Sequence, residues 1–202
     1  MTHDPGLTAT RLLEHAVRTA AVAHHLQRRK GTDVPYFSHP AAVALLLARA
    51  GFDDDVILAA ALLHDVLEDT ELTEEDLRRE FPEEVVAIVC AASERKLDDQ
   101  GNKRPWIDRK REHIADIARA PLAARAVVLA DKLHNLQSIA FDLAAGQSTW
   151  ERFNAPRDQV LQYHEEMIEA TASGSDELRS LASVARGLLG QLRGGPPGEG
   201  QA

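Results

Sequence analysis

Apolar residues recur at helical spacing along nearly the whole of this chain and almost nowhere alternate as a half-buried strand requires. In RLLEHAVRTAAVAHHLQRR the recurring set is Leu12, Leu13, Ala16, Ala20, Ala23 and Leu26. It predicts a first helix reaching Arg29, capped by Thr8 or Thr10. Gly31, Pro35 and Pro40 forbid its continuation through KGTDVPYFSHP. Further helices are predicted over AAVALLLARA, stopped by Gly51, and over VILAAALLHDVLED, preceded by the acids Asp53 to Asp55. Thr73 and Asp76 make a capping-box pattern for TEEDLRREF, and Pro82 suits the start of EEVVAIVCAAS. SERKLDDQGNKRP reads as a polar loop. Helical patterns resume in WIDRKREHIADIARA, in LAARAVVLADKLHNLQSIAFDLAAG up to Gly146, in PRDQVLQYHEEMIEATA and in DELRSLASVARGLLGQLR. The expected fold class is all-α, a compact multi-helix domain over residues 1–192, with a disordered Gly/Pro-rich tail over 193–202.

Several function classes fit poorly. MTHDPGLTATRLLEH has no apolar signal-peptide segment, and no apolar run approaches the roughly 20 residues that span a bilayer. The single cysteine, Cys90, lies in VVAIVCAA and reads as a small core residue in a reducing compartment. A soluble, cytoplasmic protein is expected. The formal charge of −9 argues against nucleic acid as a partner. An anionic ligand would need local basic clusters or a metal to draw it in against that field. Oligomeric state stays open between monomer and homodimer.

One stretch does not belong in an ordinary core. LLHDVLEDT places His64, Asp65, Glu68 and Asp69 directly after an apolar run, and Asp65, Glu68 and Asp69 share a helix face at i, i+3 and i+4. Either that face points to water or a cation offsets the charges. Two other places bear on the choice. PYFSHP holds His39 on a rigid turn before a helix start. VVLADKLHNL places Asp131 and Asn135 on one face of an apolar helix. Together His39, His64, Asp65 and Asp131 are a mixed nitrogen and oxygen donor set of the kind that suits Mn, Fe or Zn rather than Ca.

With these elements the chain resembles the HD-domain phosphohydrolases, and more narrowly the hydrolase domain of the Rel/SpoT stringent-response enzymes and the small alarmone hydrolases. The matching elements are QRRK…PYFSHP, LLHDVLEDT, SERK, WIDRK and ADKLHNL, in the family's order and within residues 9–170. The resemblance implies an all-helical HD fold and one Mn²⁺ held by His39, His64, Asp65 and Asp131. It implies hydrolysis of the 3′-pyrophosphate of ppGpp or pppGpp to GDP or GTP and pyrophosphate, with Glu68 and Asp69 around the attacking water. Asn135 matches a residue at the nucleotide and metal site. The chain departs from the family in reading TDVPY where a glycine usually precedes the Pro-Tyr turn, and it has no room for a synthetase domain.

A phosphate-binding rim is expected from Arg28, Arg29 and Lys30 before the His39 loop, Arg95 and Lys96 at the central loop, and Arg109 and Lys110 after Trp106. Tyr36 is either a base-stacking residue or a packed turn tyrosine. His24 and His25 suit a helix end, His134 suits support of Asp131, and Trp150, Phe153 and Tyr163 suit the core. Two competing functions keep the same residues. One is a phosphatase of another nucleotide, such as NADPH or a deoxynucleoside monophosphate. The other is a catalytically silent nucleotide-binding regulator.

Overall fold

The computed structural model describes residues 5–98 and 100–194. Of the expected tail over 193–202, Arg193 belongs to the last helix and residues 195–202 lie outside the described residues, as do the side chains of Thr8 and Thr10. The chain runs as α1 (Pro5–Ala23), α2 (Ser38–Arg49), α3 (Asp55–Leu63), α4 (Val66–Asp69), α5 (Glu74–Glu80) and α6 (Glu83–Ala92). It continues as α7 (Trp106–Ile117), α8 (Leu122–Ala144), a 3₁₀ turn (Trp150–Arg152), α9 (Arg157–Ala172) and α10 (Arg179–Arg193). Among the described residues, extended pairing is confined to two isolated bridges, Arg28 with Pro35 and Leu97 with Lys103. No helix of the described residues is long and apolar enough to cross a membrane.

Helix α8 is the axis of the larger core. Its residues Ala126 to Asp131 are all buried, and α2, α3, α6, α9 and α10 pack around it. A second apolar cluster joins α1, α3, α5 and α6 through Ala16, Ala20, Leu63, Leu77 and Val86. Helix α3 lies where the two clusters meet: Ala59 and Ala60 face the smaller and Ala61 faces the larger. A helix that is apolar all round is stable only in such a buried position. This explains how LLHDVLEDT emerges from the middle of the protein. Leu129 on α8 is fully buried among these elements. Leu129→Ala should therefore destabilise the fold by about 3 kcal/mol, read by chemical denaturation. A loss near zero would mean that α8 is not the axis of the core.

Two helix expectations are corrected. The first helix ends at Ala23 rather than Arg29. His24 to Leu26 turn away, and Arg29 N–H bonds Val34 O while Tyr36 N–H bonds Gln27 O, folding residues 27–36 back on themselves. Gly31, at φ 75°, permits the reversal, and its missing Cβ would sit 2.5 Å from Arg152 Nε. The second correction is decisive for the site. The predicted single helix through VILAAALLHDVLED is broken into α3 and α4 at His64 and Asp65. The His64 ring nitrogen Nδ1 lies 2.8 Å from Ala61 O, so the imidazole takes up a carbonyl of the last turn of α3. Asp65 then becomes the N-cap residue of α4, at φ −97° and ψ −6°. The Thr73–Asp76 capping box and the positive-φ glycines 51 and 146 agree with the sequence expectation.

Candidate metal centre and its adjoining cavity

Three elements bring the four expected donors together. The Pro35–Ser38 turn starts α2 and aims His39 inward, the α3–α4 break presents His64 and Asp65, and α8 supplies Asp131. His39 Nε2 lies 3.1 Å from Asp131 Oδ1 and 3.4 Å from Asp65 Oδ2. His64 Nε2 lies 3.2 Å from Asp65 Oδ2 and 3.9 Å from Asp131 Oδ1. Ligand atoms about 2.0–2.2 Å from a common ion, at tetrahedral or octahedral angles, are separated by roughly 3 Å. Donor atoms of His39, His64 and Asp131, all buried, lie within 4.8 Å of one another and could hold a metal ion. Asp65 Oδ2 closes the same group from the α4 side.

The protonation pattern fits a cation as well. A carbonyl only accepts, so His64 Nδ1 donates to Ala61 O and Nε2 is the nitrogen turned toward the aspartates. That Nε2 is buried and has no hydrogen-bond partner. His39 Nδ1 lies 2.7 Å from His134 Nδ1. Burial, with His39 and Arg29 beside it, pushes the His134 imidazole down to about 4, so it stays neutral and can accept from His39. His39 Nε2 is then the nitrogen that faces Asp65 and Asp131. Burial alone would raise both aspartates, yet His64 and His39 hold Asp65, and Lys132 and His39 hold Asp131, well below the usual carboxylate range. Burial likewise opposes charge on His64, but Asp65 prevails and pushes it up to about 9. The cluster attracts positive charge, and a bound cation would take the place of those protons.

The two acids of α4 face the loop after α6. Glu68 Oε1 accepts from Glu94 N–H at 2.7 Å, and Lys96 Nζ lies 3.2 Å from Glu68 Oε2 and 2.5 Å from Asp69 Oδ1. Burial, followed by the nearby Asp65, raises Glu68 above the ordinary glutamate value, although Lys96 opposes this. Tyr36 is a packed turn residue here. Its hydroxyl lies 2.7 Å from Asp65 Oδ2 and 3.1 Å from Asp69 Oδ2, and its ring packs against His24, His39 and the Arg29 guanidinium.

A cavity of about 730 Å³ adjoins the cluster, meeting it at Tyr36, Lys132, His134 and Asn135. Its cations are Arg29, Lys30, Lys110, Lys132 and Arg152, against one acid, Asp142. Lys110, Lys132 and Arg152 are paired with Glu94, Asp131 and Asp142, so Arg29 and Lys30 carry most of the positive charge that the cavity can offer a polyanion. The expected phosphate rim is therefore divided. Arg29, Lys30, Tyr36, Lys110 and Asn135 line the cavity, whereas Arg28, Lys96 and Arg109 are not among its lining residues. Lys96 sits on the α4 acids, and Arg109 pairs with Glu94. Arg29 donates to Asn135 Oδ1 at 2.9 Å, and Asn135 donates to Asp131 Oδ1 at 2.5 Å, which links the cavity wall to the donor cluster.

Sequence reasoning passed over three residues. Lys132, beside Asp131, places Nζ 2.6 Å from Asp131 Oδ2, and a charge adjacent to Asp131 in an apolar helix was the available signal. Arg152 reaches the cavity from the 3₁₀ turn, held by Asp142 at 2.7 Å; nothing in its local pattern marks it. Glu94 is buried although the surrounding segment reads as polar loop. Tyr163 is a core residue as expected, but it also lines the cavity, as does Phe153.

Residues 16–153 match the family model described as HD domain. The guanosine-3′,5′-bis(diphosphate) 3′-pyrophosphohydrolase MESH1 of Mus musculus is 40% identical over 136 residues, covering 66% of this chain and 72% of that protein. The Homo sapiens protein of the same name is also 40% identical over 136 residues, with the same coverage. The solved structure of a metazoan ortholog of SpoT, described as hydrolysing ppGpp, superposes with a TM-score of 0.74 at 29% identity, covering 90% of this chain and 95% of that one.

Proposed function

Because this chain belongs to the HD-domain family, we propose that it is a metal-dependent hydrolase that removes the 3′-pyrophosphate of ppGpp and pppGpp, with Mn²⁺ as its ion. The observation that carries the reading is the convergence of His39, His64, Asp65 and Asp131 around an unpartnered, buried His64 Nε2, directly beside a basic cavity. The four side chains are the proposed ligands, and the names of the MESH1 relatives support the substrate. A bound divalent ion lowers the pKa of a coordinated water and neutralises phosphoryl charge.

The chain's own groups then have distinct tasks. Lys132 occupies Asp131 Oδ2, while Oδ1, which also accepts from Asn135, faces the cluster. Tyr36 steadies Asp65 through its hydroxyl. Both acids are held, Asp69 by Lys96 and Tyr36 and Glu68 by the Glu94 N–H and Lys96. Glu68 is more buried, and its carboxyl is raised toward the range where proton uptake from water is useful, so Glu68 is assigned as the general base. Arg29, Lys30, Lys110 and Asn135 receive the nucleotide's phosphates and ribose in the cavity. Attack on the first phosphorus of the 3′ group breaks its bond to O3′, so pyrophosphate departs and O3′ takes a proton.

Purified protein with ppGpp and Mn²⁺ should release one pyrophosphate per GDP formed. A chelator should reduce the rate by at least about 100-fold, and added Mn²⁺ should restore it. Orthophosphate from NADPH without pyrophosphate from ppGpp would replace this reading with the nucleotide phosphatase. Binding of ppGpp with no turnover would replace it with the silent regulator.

A further inference from the structure

Glu94 is an acid whose burial the site described so far does not require. It stands in the loop between α6 and α7, its side chain is only 3% exposed, and it is gripped by Arg109 and Lys110, adjacent residues near the start of α7. Lys110 also lies 4.6 Å from the Tyr163 ring centroid, which ties the group to α9. Burying three charges is a weak way to stabilise a fold, since apolar residues of similar volume often do as well or better. Such a group is better explained by what it holds in place.

What it holds is the loop that contacts the acids of α4. The Glu94 N–H donates to Glu68 Oε1 at 2.7 Å, and two residues on, Lys96 Nζ reaches Glu68 O at 3.1 Å and Asp69 Oδ1 at 2.5 Å. The backbone contact fixes the direction of the Glu68 carboxylate, and the Glu94 side chain fixes the backbone. We propose that Glu94 is a positioning residue for Glu68: anchored by Arg109 and Lys110, it sets the loop so that its own N–H orients the carboxylate that takes the proton from water. Arg109 serves this anchor and does not contact the nucleotide. The inference rests on the hydrolase reading.

The test is a double-mutant cycle with ppGpp and Mn²⁺, using single-turnover rates for the slower variants. Glu94→Gln keeps the side chain's shape but halves its grip on two cations. It should lower kcat about 10- to 50-fold with bound metal within about twofold of wild type, and KM is read from Arg109→Gln because Lys110, the other partner of Glu94, lines the cavity. In a Glu68→Gln background the same change should lower the rate less than about twofold, because the group being positioned is already disabled. Arg109→Gln, which leaves Glu94 in place, should repeat the kcat loss without raising KM, and it serves as the second variant should Glu94→Gln not fold. Independent, multiplicative losses in the double variant overturn the inference, as does an Arg109→Gln effect confined to KM. Wild-type chain that releases no pyrophosphate overturns the hydrolase reading and this inference with it, whereas wild-type turnover with multiplicative losses overturns this inference alone.

Discussion

Asp131→Asn is expected to lose its metal and at least about 10³-fold of its turnover, because one proposed ligand of the ion and part of its charge compensation would disappear together. Asp131 Oδ1 lies 3.1 Å from His39 Nε2, and the side chain is carried on the fully buried middle of α8, so no neighbouring group can swing in to replace it. Asparagine is the appropriate change because it retains the side chain's volume and an acceptor for Asn135 or Lys132. Alanine would also strand the Lys132 ammonium in the interior, and breaking a buried pair in that way costs about 3–5 kcal/mol, mixing instability with loss of metal. Metal per chain, measured by elemental analysis after gel filtration, should fall steeply while the thermal transition stays cooperative. Stoichiometric metal and near-normal turnover in this variant would remove Asp131 from the proposed ligand set.

Glu68→Gln separates the chemistry from the metal. Its turnover should fall about 10²- to 10³-fold, the range expected when a general base is removed, while metal content and KM stay within about twofold. Glutamine still offers Oε1 to the Glu94 N–H, and Lys96, though it loses Glu68 Oε2, keeps Asp69 Oδ1 and Glu68 O, so the loop over residues 93–96 stays held. What is lost is an oxygen able to take a proton, at a site where burial and the Asp65 carboxylate had raised its affinity for one. Loss of the ion would instead make Glu68 a ligand. Unchanged turnover would transfer the base to Asp69.

The candidate site was legible where residue type alone carries the chemistry. A histidine and aspartates within apolar helices are expensive unless something compensates them, and that cost is visible in LLHDVLEDT, PYFSHP and ADKLHNL without coordinates. The structure brings His39 Nε2 within 3.4 Å of both Asp65 and Asp131, and His64 Nε2 to 3.2 Å from Asp65 and 3.9 Å from Asp131. The reading of the basic residues was coarser. Arg29 and Lys110 line the cavity, but Arg109 faces a buried glutamate and Lys96 the α4 acids, because a long side chain next to the site in sequence can be drawn to whichever opposite charge is nearest in space. Glu94 was hidden for the same reason. A polar loop gives no sign that one of its acids turns inward, since the two cations that compensate it come from the following helix.

Local chemistry by itself determined that this chain is helical, where most of its helices stop, and which residues are candidate metal donors, because backbone preference, apolar period and ligand type are properties of short segments. Tertiary structure decided the break at His64, which is set by an imidazole turning back onto Ala61 O within a continuous apolar run, and the early turn after Ala23, which is set by pairing with residues up to Tyr36. It also decided which cations face the cavity. Those outcomes depend on distances between groups far apart along the chain, and packing alone fixes such distances.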